Sequence, residues 1–316
     1  MRRLFLTLAL GGLLVLVACT RPAGPSAVHE SKTFPAPAGK LVRLDVRSLD
    51  VHVKVAEAST ISVTLDLQAR SSSRAATKRW IERNTPVFED SESVLEVRVP
   101  SIGRRGLVVV GFFHTEGRLE LVIPPSCRLE VKTSSGDVSV EGEAQVSGPV
   151  RIDTSSGDVT VRGGVRELIA DTSSGDVRVS GQALAVLEAN TASGDVALEG
   201  GSEKAIVDTS SGDARLEKLT GDLSADTSSG TVSASWERLV AGNKIRVSTS
   251  SGDVRLRLPE GTPLGGELNT TSGRVHSDFS PTSEKHGRMM SFVAPGASVD
   301  VEVRTSSGDV SLRTRS

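Results

Sequence analysis

The chain has 316 residues and a formal net charge of -2. This balance and the lack of a basic run argue against a nucleic-acid-binding protein. Tyr is absent, and only 7 Phe and 2 Trp accompany 31 Gly. A core with so few aromatic residues must use Val, Leu, Ile, Ala and Thr, which favours thin layers of strands.

The N-terminus has the features of a secretory signal peptide. Two arginines precede an apolar run over residues 4–17. This run is shorter than the ~20 residues of a transmembrane helix and is typical of an exported precursor. The next residues, LVAC, resemble a bacterial lipobox, which implies cleavage after residue 18 and acylation of Cys19. An ordinary signal cleaved near Ala18, with an incidental cysteine, is the alternative.

We therefore predict a lipoprotein signal peptide over residues 1–18 and a lipidation site at Cys19. The residue after the cysteine is Thr20 and not an aspartate. In many Gram-negative bacteria this implies sorting of the lipoprotein to the outer membrane. The chain has 2 cysteines, so acylation of Cys19 leaves Cys127 without an intramolecular disulfide partner. We expect Cys127 to pack as a small hydrophobic residue.

The first part of the mature chain is less regular than the rest. Residues 19–40 are rich in Pro, Ala and Ser and predict a tether. Residues 41–126 alternate apolar and polar side chains, which predicts a β-rich region. Within it, residues 71–84 have a helical pattern, and Trp80 is expected to anchor this short helix on the first strands. Residues 106–114 form the most apolar stretch outside the signal.

Residues 127–316 form a repeat of a TSSGDV-like unit. Its turn glycines lie 18–22 residues apart, except for a last interval of 35 residues. This period indicates a solenoid, in which each repeat buries its face against its neighbours. The turn glycines are Gly136, Gly157, Gly175, Gly194, Gly212, Gly230, Gly252, Gly273 and Gly308.

Apolar and polar residues alternate on both sides of each turn. In one repeat, Leu168, Ala170 and Thr172 precede the turn on one face, and Val177 and Val179 follow it. Each repeat is therefore predicted to be a strand, a tight turn and a second strand, stacked ~4.8 Å from the next. The predicted fold class is all-β: a single-stranded parallel β-solenoid with a less regular β-rich N-terminal region and one short helix.

Every residue type of the repeated unit has an expected structural role. Glycine reverses the chain, which we expect to require a positive φ. The serines and the aspartate can hydrogen-bond the turn backbone. The threonine can join a hydroxyl ladder between coils. The motif is thus expected to have a structural role in the stacked turns and not a catalytic one.

Two columns of aspartate raise the question of metal binding. Carboxylates stacked at coil spacing repel one another, and Ca²⁺ would relieve this repulsion. Both columns are interrupted, so we assign no metal ligand and leave calcium binding as an open alternative. The first column holds Asp137, Asp158, Asp176, Asp195, Asp213, Asp253 and Asp309, with Thr231 and Arg274 as interruptions. The second holds Asp153, Asp171, Asp208 and Asp226, with Lys132, Asn190, Ser248, Asn269 and Arg304 as interruptions.

The sequence contains no recognisable catalytic motif. Its 5 histidines lie outside the repeated units. Neither a Gly-x-Ser-x-Gly elbow nor a Gly-Lys-Ser/Thr phosphate loop occurs. We predict no catalytic residue and no cofactor.

The interruptions of the repeat are more distinctive than the repeat itself. Residues 276–298 extend the last interval and contain two Phe and two Met. Such an insertion predicts a loop on one face of the solenoid, either for binding or for packing. Trp236 is expected to cover a corner of a coil. The final LRTRS is expected to protect an exposed sheet edge with charge.

The TSSGDV units and their flanking short strands resemble the bacterial family named "putative adhesin", a domain of unknown function. The resemblance covers residues 41–312, with VRSLDVHV as a degenerate first repeat. It implies an envelope-associated, single-stranded β-solenoid. It supplies no catalytic residue.

These observations predict a non-enzymatic cell-envelope lipoprotein, lipid-anchored at the outer membrane, that acts as an adhesin-like or scaffold binding module. Its expected partners are the membrane, through the N-terminal lipid, and an envelope glycan or protein, but not nucleic acid. A signalling or envelope-stress accessory that binds a regulatory protein is the alternative. A β-helix carbohydrate-active enzyme is a third hypothesis, although such enzymes need clustered charges and aromatic sugar platforms.

Overall fold

The protein is a long β-solenoid, seen here in a computed structural model, with one short helix in its described part. This confirms the predicted fold class. The predicted signal peptide, Cys19 and residues 106–112 lie outside the described residues. Those described are 26–71, 73–99, 113–294, 296 and 298–315.

The N-terminal region combines strands with the helix. Its elements are β1 (Ser26–Pro35), β2 (Leu41–Asp45), β3 (Asp50–Val55), β4 (Thr60–Ser71), α1 (Arg74–Asn84), β5 (Val87–Asp90), β6 (Val94–Arg98) and β7 (Phe113–Ile123).

The repeat region consists of strands throughout. Its first part contains β8 (Arg128–Lys132), β9 (Val138–Gly142), β10 (Val150–Thr154), β11 (Val159–Gly163), β12 (Glu167–Thr172), β13 (Val177–Ser180), β14 (Leu184–Thr191), β15 (Val196–Leu198), β16 (Ser202–Thr209), β17 (Ala214–Leu219), β18 (Asp222–Thr227), β19 (Val232–Trp236), β20 (Lys244–Thr249) and β21 (Val254–Pro259). Its last part contains β22 (Leu264–Thr270), β23 (Val275–Ser277), β24 (Ser283–Lys285), β25 (Met289–Phe292), β26 (Val299–Thr305) and β27 (Val310–Arg315).

Two long sheets face each other across a single continuous core. One sheet has 13 strands and the other 14. Each coil contributes one strand to each sheet, and the Thr-Ser-Ser-Gly turn joins the two strands. Inward residues are Val, Leu, Ile, Ala and Thr, as the alternation predicts: in β10, Val150, Ile152 and Thr154 are buried, whereas Arg151 and Asp153 are exposed.

The stacking order departs from the sequence order at both ends. The β2–β3 coil lies between the β6–β7 and β8–β9 coils. The β26–β27 coil lies between the β20–β21 and β22–β23 coils. Eleven coils are therefore stacked in the described part of the chain, and the first and last in sequence are not the outermost.

This order corrects the prediction for the C-terminal LRTRS in part. Its described residues 312–315 belong to β27, whereas the edge strand of that sheet is β23. β23 pairs with β27 only as far as Leu312, so residues 313–315 have a partner strand only on the β21 side and lie at a local edge. Sequence spacing could not show the coil order, because the chain leaves one coil position open and fills it only after the β24–β25 hairpin.

The predicted tether over residues 19–40 is wrong for its central part. Residues 26–35 form β1, which pairs antiparallel with β4 along its whole length. Pro, Ala and Ser made the segment look unstructured, but its side chains alternate between half-buried and exposed. Val28 and Phe34 pack against the core, so β1 belongs to the folded body.

The short helix α1 occupies the N-terminal end of the stack. The Ser73 hydroxyl caps it by accepting a hydrogen bond from the Ala76 amide. Ala76 and Thr77 are buried, and Trp80 packs against the core as predicted. No helix in the described residues combines the length and apolar character that crossing a membrane requires.

Candidate binding surfaces

The repeated threonine organises most of the tight turns from inside. Its Oγ1 accepts a hydrogen bond from the amide of the turn glycine, as between Thr209 and Gly212 at 3.0 Å. In several coils the same hydroxyl also donates to a carbonyl of the neighbouring coil: Thr209 lies 3.4 Å from the Gly194 oxygen. Thr249 is the exception, because its buried Oγ1 has no hydrogen-bond partner among the described residues. The predicted ladder between coils therefore exists, but it runs from hydroxyl to carbonyl.

The turn glycine is required by close approach and not by a positive φ, which corrects the prediction. None of the nine turn glycines is among the residues with positive φ. A Cβ on Gly212 would overlap the carbonyl oxygen of Gly194 in the coil below, far inside the 3.0 Å that real Cβ atoms respect. The repeat of glycine therefore follows from stacking one turn directly on another.

The first aspartate column is a hydrogen-bonded ladder. Each Oδ1 accepts the backbone amide of the next coil, as from Asp195 to Asp176 and from Asp213 to Asp195, both at 2.8 Å. The ladder follows the spatial order of the coils, because Asp253 accepts from the Asp309 amide and Asp309 accepts from the Arg274 amide, both at 2.9 Å. These carboxylates therefore have a structural partner.

The second aspartate column lines a groove beside the turns. Asp171, Asn190, Asp208 and Asp226 follow one another in register on adjacent strands. They border an open cavity of about 550 Å³ together with turn residues of four coils. The Asn190 amide donates to Asp171 at 2.7 Å, whereas the exposed carboxylates of Asp208 and Asp226 have no partner among the described residues.

The turn serines complete this surface. Their backbones are hydrogen-bonded from coil to coil, as in Ser229 to Ser210 at 3.0 Å. Their side chains are exposed, and in the described part of the chain no turn serine hydroxyl has a hydrogen-bond partner. We call the exposed serines from Ser155 to Ser251 and the groove carboxylates the turn edge. It is a rigid row of hydroxyl and carboxylate groups at coil spacing.

One Ser-His-Glu cluster was not found from the sequence. The β2–β3 coil places His52 beside β9, where its Nδ1 lies 2.6 Å from the Ser139 hydroxyl and its Nε2 lies 3.4 Å from Glu141. An open cavity of about 750 Å³ adjoins it. The out-of-order coil creates this contact, and only the register of β3 with β9 would have revealed it. Ser139 lies on an inner strand whose amides serve the sheet ladder, so no amide pair is left to bind an oxyanion.

The described residues contain no group of three or more His, Cys, Asp and Glu side chains arranged to hold a metal ion. Of the five histidines, His29, His52, His114 and His276 each lie beside a carboxylate, on different coils or edges. His286 is exposed in the β24–β25 turn.

A partly buried ion pair connects the two sheets at the N-terminal end. Lys40 Nζ lies 2.5 Å from Asp90 and donates to the Pro35 carbonyl at 3.0 Å. Phe34 stacks on Phe88 beside it, with ring centroids 5.6 Å apart. These contacts connect β1 to β5, and therefore the edge of one sheet to the edge of the other.

Cys127 packs in the core as predicted. Its side chain is fully buried, and burial raises the pKa of the thiol although the Lys40 charge opposes the shift. Trp236 is also fully buried, with its Nε1 donating to the Gly221 carbonyl at 2.8 Å. Because Gly221 lies between β17 and β18 and Trp236 ends β19, the indole packs at a corner of the coil, in agreement with the prediction.

The insertion over residues 276–298 closes the C-terminal end of the solenoid. It forms the β24–β25 hairpin, in which β25 pairs antiparallel with β22. Met290 and Phe292 are buried where β25 joins the outermost coil, β22–β23, which favours the packing interpretation of this segment. The polar turn of the hairpin remains exposed.

Comparison with known proteins found similar solved structures. A crystal structure named "putative adhesin" from Bacteroides fragilis is 11% identical, with a TM-score of 0.41, and the match covers 91% of this chain and 97% of that one. A crystal structure of the same name from Parabacteroides distasonis is 12% identical, with a TM-score of 0.40 and coverages of 90% and 97%. No curated protein matches this chain.

The family assignment rests on a match over nearly all of the folded region. Residues 40–313 match the Toastrack domain family, and of the described residues this range omits only 26–39 and 314–315. The chain therefore belongs to the Toastrack DUF4097 family.

Proposed function

We propose that the protein is a non-enzymatic envelope lipoprotein, anchored through Cys19 at the outer membrane, that binds an envelope glycan or protein through its turn edge. The observation that carries this proposal is the turn edge itself. Its backbone groups are hydrogen-bonded within the stack, and its serine hydroxyls and the Asp208 and Asp226 carboxylates are exposed, with no partner in the part of the chain that the structure describes.

Such an edge suits a long ligand with repeated polar groups. Each hydroxyl or carboxylate contributes little alone, but many equivalent groups on a rigid support act together through effective concentration. The rigidity comes from the stack, because neither serine backbone nor glycine can shift without separating the coils.

The binding proposal is tested with the mature chain and insoluble peptidoglycan, outer-membrane polysaccharide and envelope protein extract. Asp208→Lys with Asp226→Lys reverses two charges on the turn edge. Glu199→Lys with Glu203→Lys makes the same charge change at the opposite side of the coils, where both glutamates are exposed. We expect only the turn-edge variant to change binding. Equal effects of both variants, or no binding to any component, would reject the proposal.

The anchor is tested in cells by metabolic labelling with palmitate. We expect label on the wild-type chain and none on Cys19→Ser. Label that persists in the variant, or an unlabelled wild type, would reject lipidation at Cys19.

The absence of enzymatic activity is tested at the Ser139–His52–Glu141 cluster, the arrangement closest to a nucleophilic site. A fluorophosphonate probe should label the native protein no faster than Ser139→Ala. Selective labelling of Ser139 would overturn the non-enzymatic part of the proposal.

A further inference from the structure

Helix α1 has two chemically different faces. Ala76, Thr77 and Asn84 are buried on the solenoid side, and Trp80 and Ile81 pack against the core there. The opposite face is exposed along the whole helix. It presents Arg74, Ala75, Lys78, Arg79, Glu82 and Arg83.

The exposed face is strongly basic. It carries four cations and one carboxylate, whereas the whole chain has a formal net charge of -2. Lys78 is 3.8 Å from Glu82, a weak pair. Arg74, Arg79 and Arg83 have no ion-pair or side-chain hydrogen-bond partner among the described residues. A charge cluster of this kind is not needed to hold the helix on the solenoid, since the contacts to the core lie on the other face.

The chain leading to the proposed lipid arrives at this helix. Ser26, the first residue of β1, pairs with Ala69 near the end of β4, and α1 begins five residues later at Arg74. Ser26 and Val28 border an open cavity of about 650 Å³ together with Arg74 and Lys78. Six residues lie between Cys19 and Ser26. Even a fully extended chain of seven residue steps spans only about 25 Å.

The short distance and the charge point to one partner. We propose that the basic face of α1 docks on anionic lipid headgroups of the membrane that carries the anchor, which rests on the proposed acylation of Cys19. The stack of eleven coils, roughly 50 Å long, then projects from the membrane at its N-terminal end, and its turn edge is held away from the surface.

Electrostatics sets the expected strength. A Lys or Arg close to an anionic bilayer strengthens binding by roughly fivefold, and the effect falls off within a Debye length of ~8 Å at physiological salt. Reversal of two of the four cations should therefore weaken binding by more than about tenfold.

The test uses the mature chain, residues 19–316, with Cys19→Ser so that no lipid contributes. Binding is measured by co-sedimentation with vesicles of phosphatidylcholine alone and with vesicles containing anionic phosphatidylglycerol, at low and high salt. Arg74→Glu with Arg79→Glu is the test variant. It leaves the Lys78–Glu82 pair in place, and a glutamate in the first turn suits the helix dipole. Arg151→Glu with Arg162→Glu, two exposed arginines of the repeat, is the matched control.

We expect salt-sensitive binding to anionic vesicles that the test variant loses and the control retains. No preference for anionic vesicles, or equal losses in both variants, would overturn the proposal. Equally strong binding to a soluble anionic polysaccharide would also overturn it, because the face would then recognise charge without a bilayer. Because the Cys19→Ser protein carries no acyl chain, the result of this assay is independent of the palmitate labelling. Failure of docking and failure of acylation are therefore distinguished.

Discussion

The regular middle of the solenoid and its two ends follow different rules. From β8 to β21, coils that are consecutive in sequence are neighbours in space, and the threonine, glycine and aspartate contacts recur in most of them. At each end, a coil that is terminal in sequence lies one position inside the stack. The outer positions are covered by α1 and β1 at one end and by the β24–β25 hairpin at the other.

This difference separates the part of the molecule whose polar residues hold the stack together from the parts that carry distinct chemical groups. In the middle, most polar groups of the repeated motif form hydrogen bonds within the stack, and the groups of the turn edge have no partner among the described residues. At the ends, the sequence is released from the repeat and carries distinct chemistry: the basic face of α1, the Lys40–Asp90 pair and the His52 cluster.

The largest expected effect concerns the middle. Gly212→Ala should destabilise the protein by about 4 kcal/mol or more, because its Cβ would overlap the main-chain carbonyl of Gly194, which cannot move without separating coils. Urea unfolding measures the change. Gly242→Ala is the control: its Cβ meets no atom within 4 Å, and its positive φ costs only about 1–2 kcal/mol. Similar effects of the two variants would contradict the close-approach explanation.

The next effect concerns the C-terminal end. Phe292→Ala should cost about 3 kcal/mol, because a buried aromatic side chain leaves a cavity at the end of the core. Val293→Ala, at a neighbouring residue that is 72% exposed, should be nearly neutral in the same unfolding measurement. A neutral Phe292→Ala would show that the hairpin does not close the core.

A smaller effect is expected inside the turn. Thr209→Val removes the hydroxyl that accepts from the Gly212 amide, and should cost about 1–2 kcal/mol in thermal or urea unfolding. Thr209→Ser keeps the hydroxyl and should cost less. If valine were tolerated as well as serine, the threonine would act only through its β-branched shape.

The smallest effect is a pH dependence near the C-terminus. The Thr314 amide and then the Arg313 guanidinium hold the pKa of Asp278 below its ordinary value of 3.8. A lowered folded-state pKa gives stability that is present above 3.8 and is lost as the pH falls through the folded value. Asp278→Asn should therefore cost more stability at pH 7 than at pH 2. An equal cost at both values would contradict the shift, and carboxyl NMR with Arg313→Gln should show a partial rise of this pKa.

The middle of the fold could be predicted from the sequence because its signals are local. Alternation fixes which side chains face the core, as in β10, and the period fixes the coil. The role of Gly212 could not be assigned correctly, because its constraint comes from an atom of another coil. The prediction of positive φ treated the turn alone.

The ends could not be predicted, because their contacts join residues far apart in sequence. His52 meets Ser139 only through the inserted β2–β3 coil. Residues 26–35 resembled a tether by composition, although their partner strand, β4, begins only at residue 60. Of the candidate site, the two aspartate columns followed from the repeat register, whereas the basic face of α1 required the helix to be placed on the solenoid.

The central claim is that the last coil in sequence is an inner coil in space. Hydrogen exchange of the mature chain, resolved by segment, tests it directly. We expect β26–β27 to be protected as strongly as β20–β21, and the covering strands β22–β25 to exchange faster, because opening begins at the end of a stack. Faster exchange in β26–β27 than in β22–β23 would place the coils in sequence order and contradict the account.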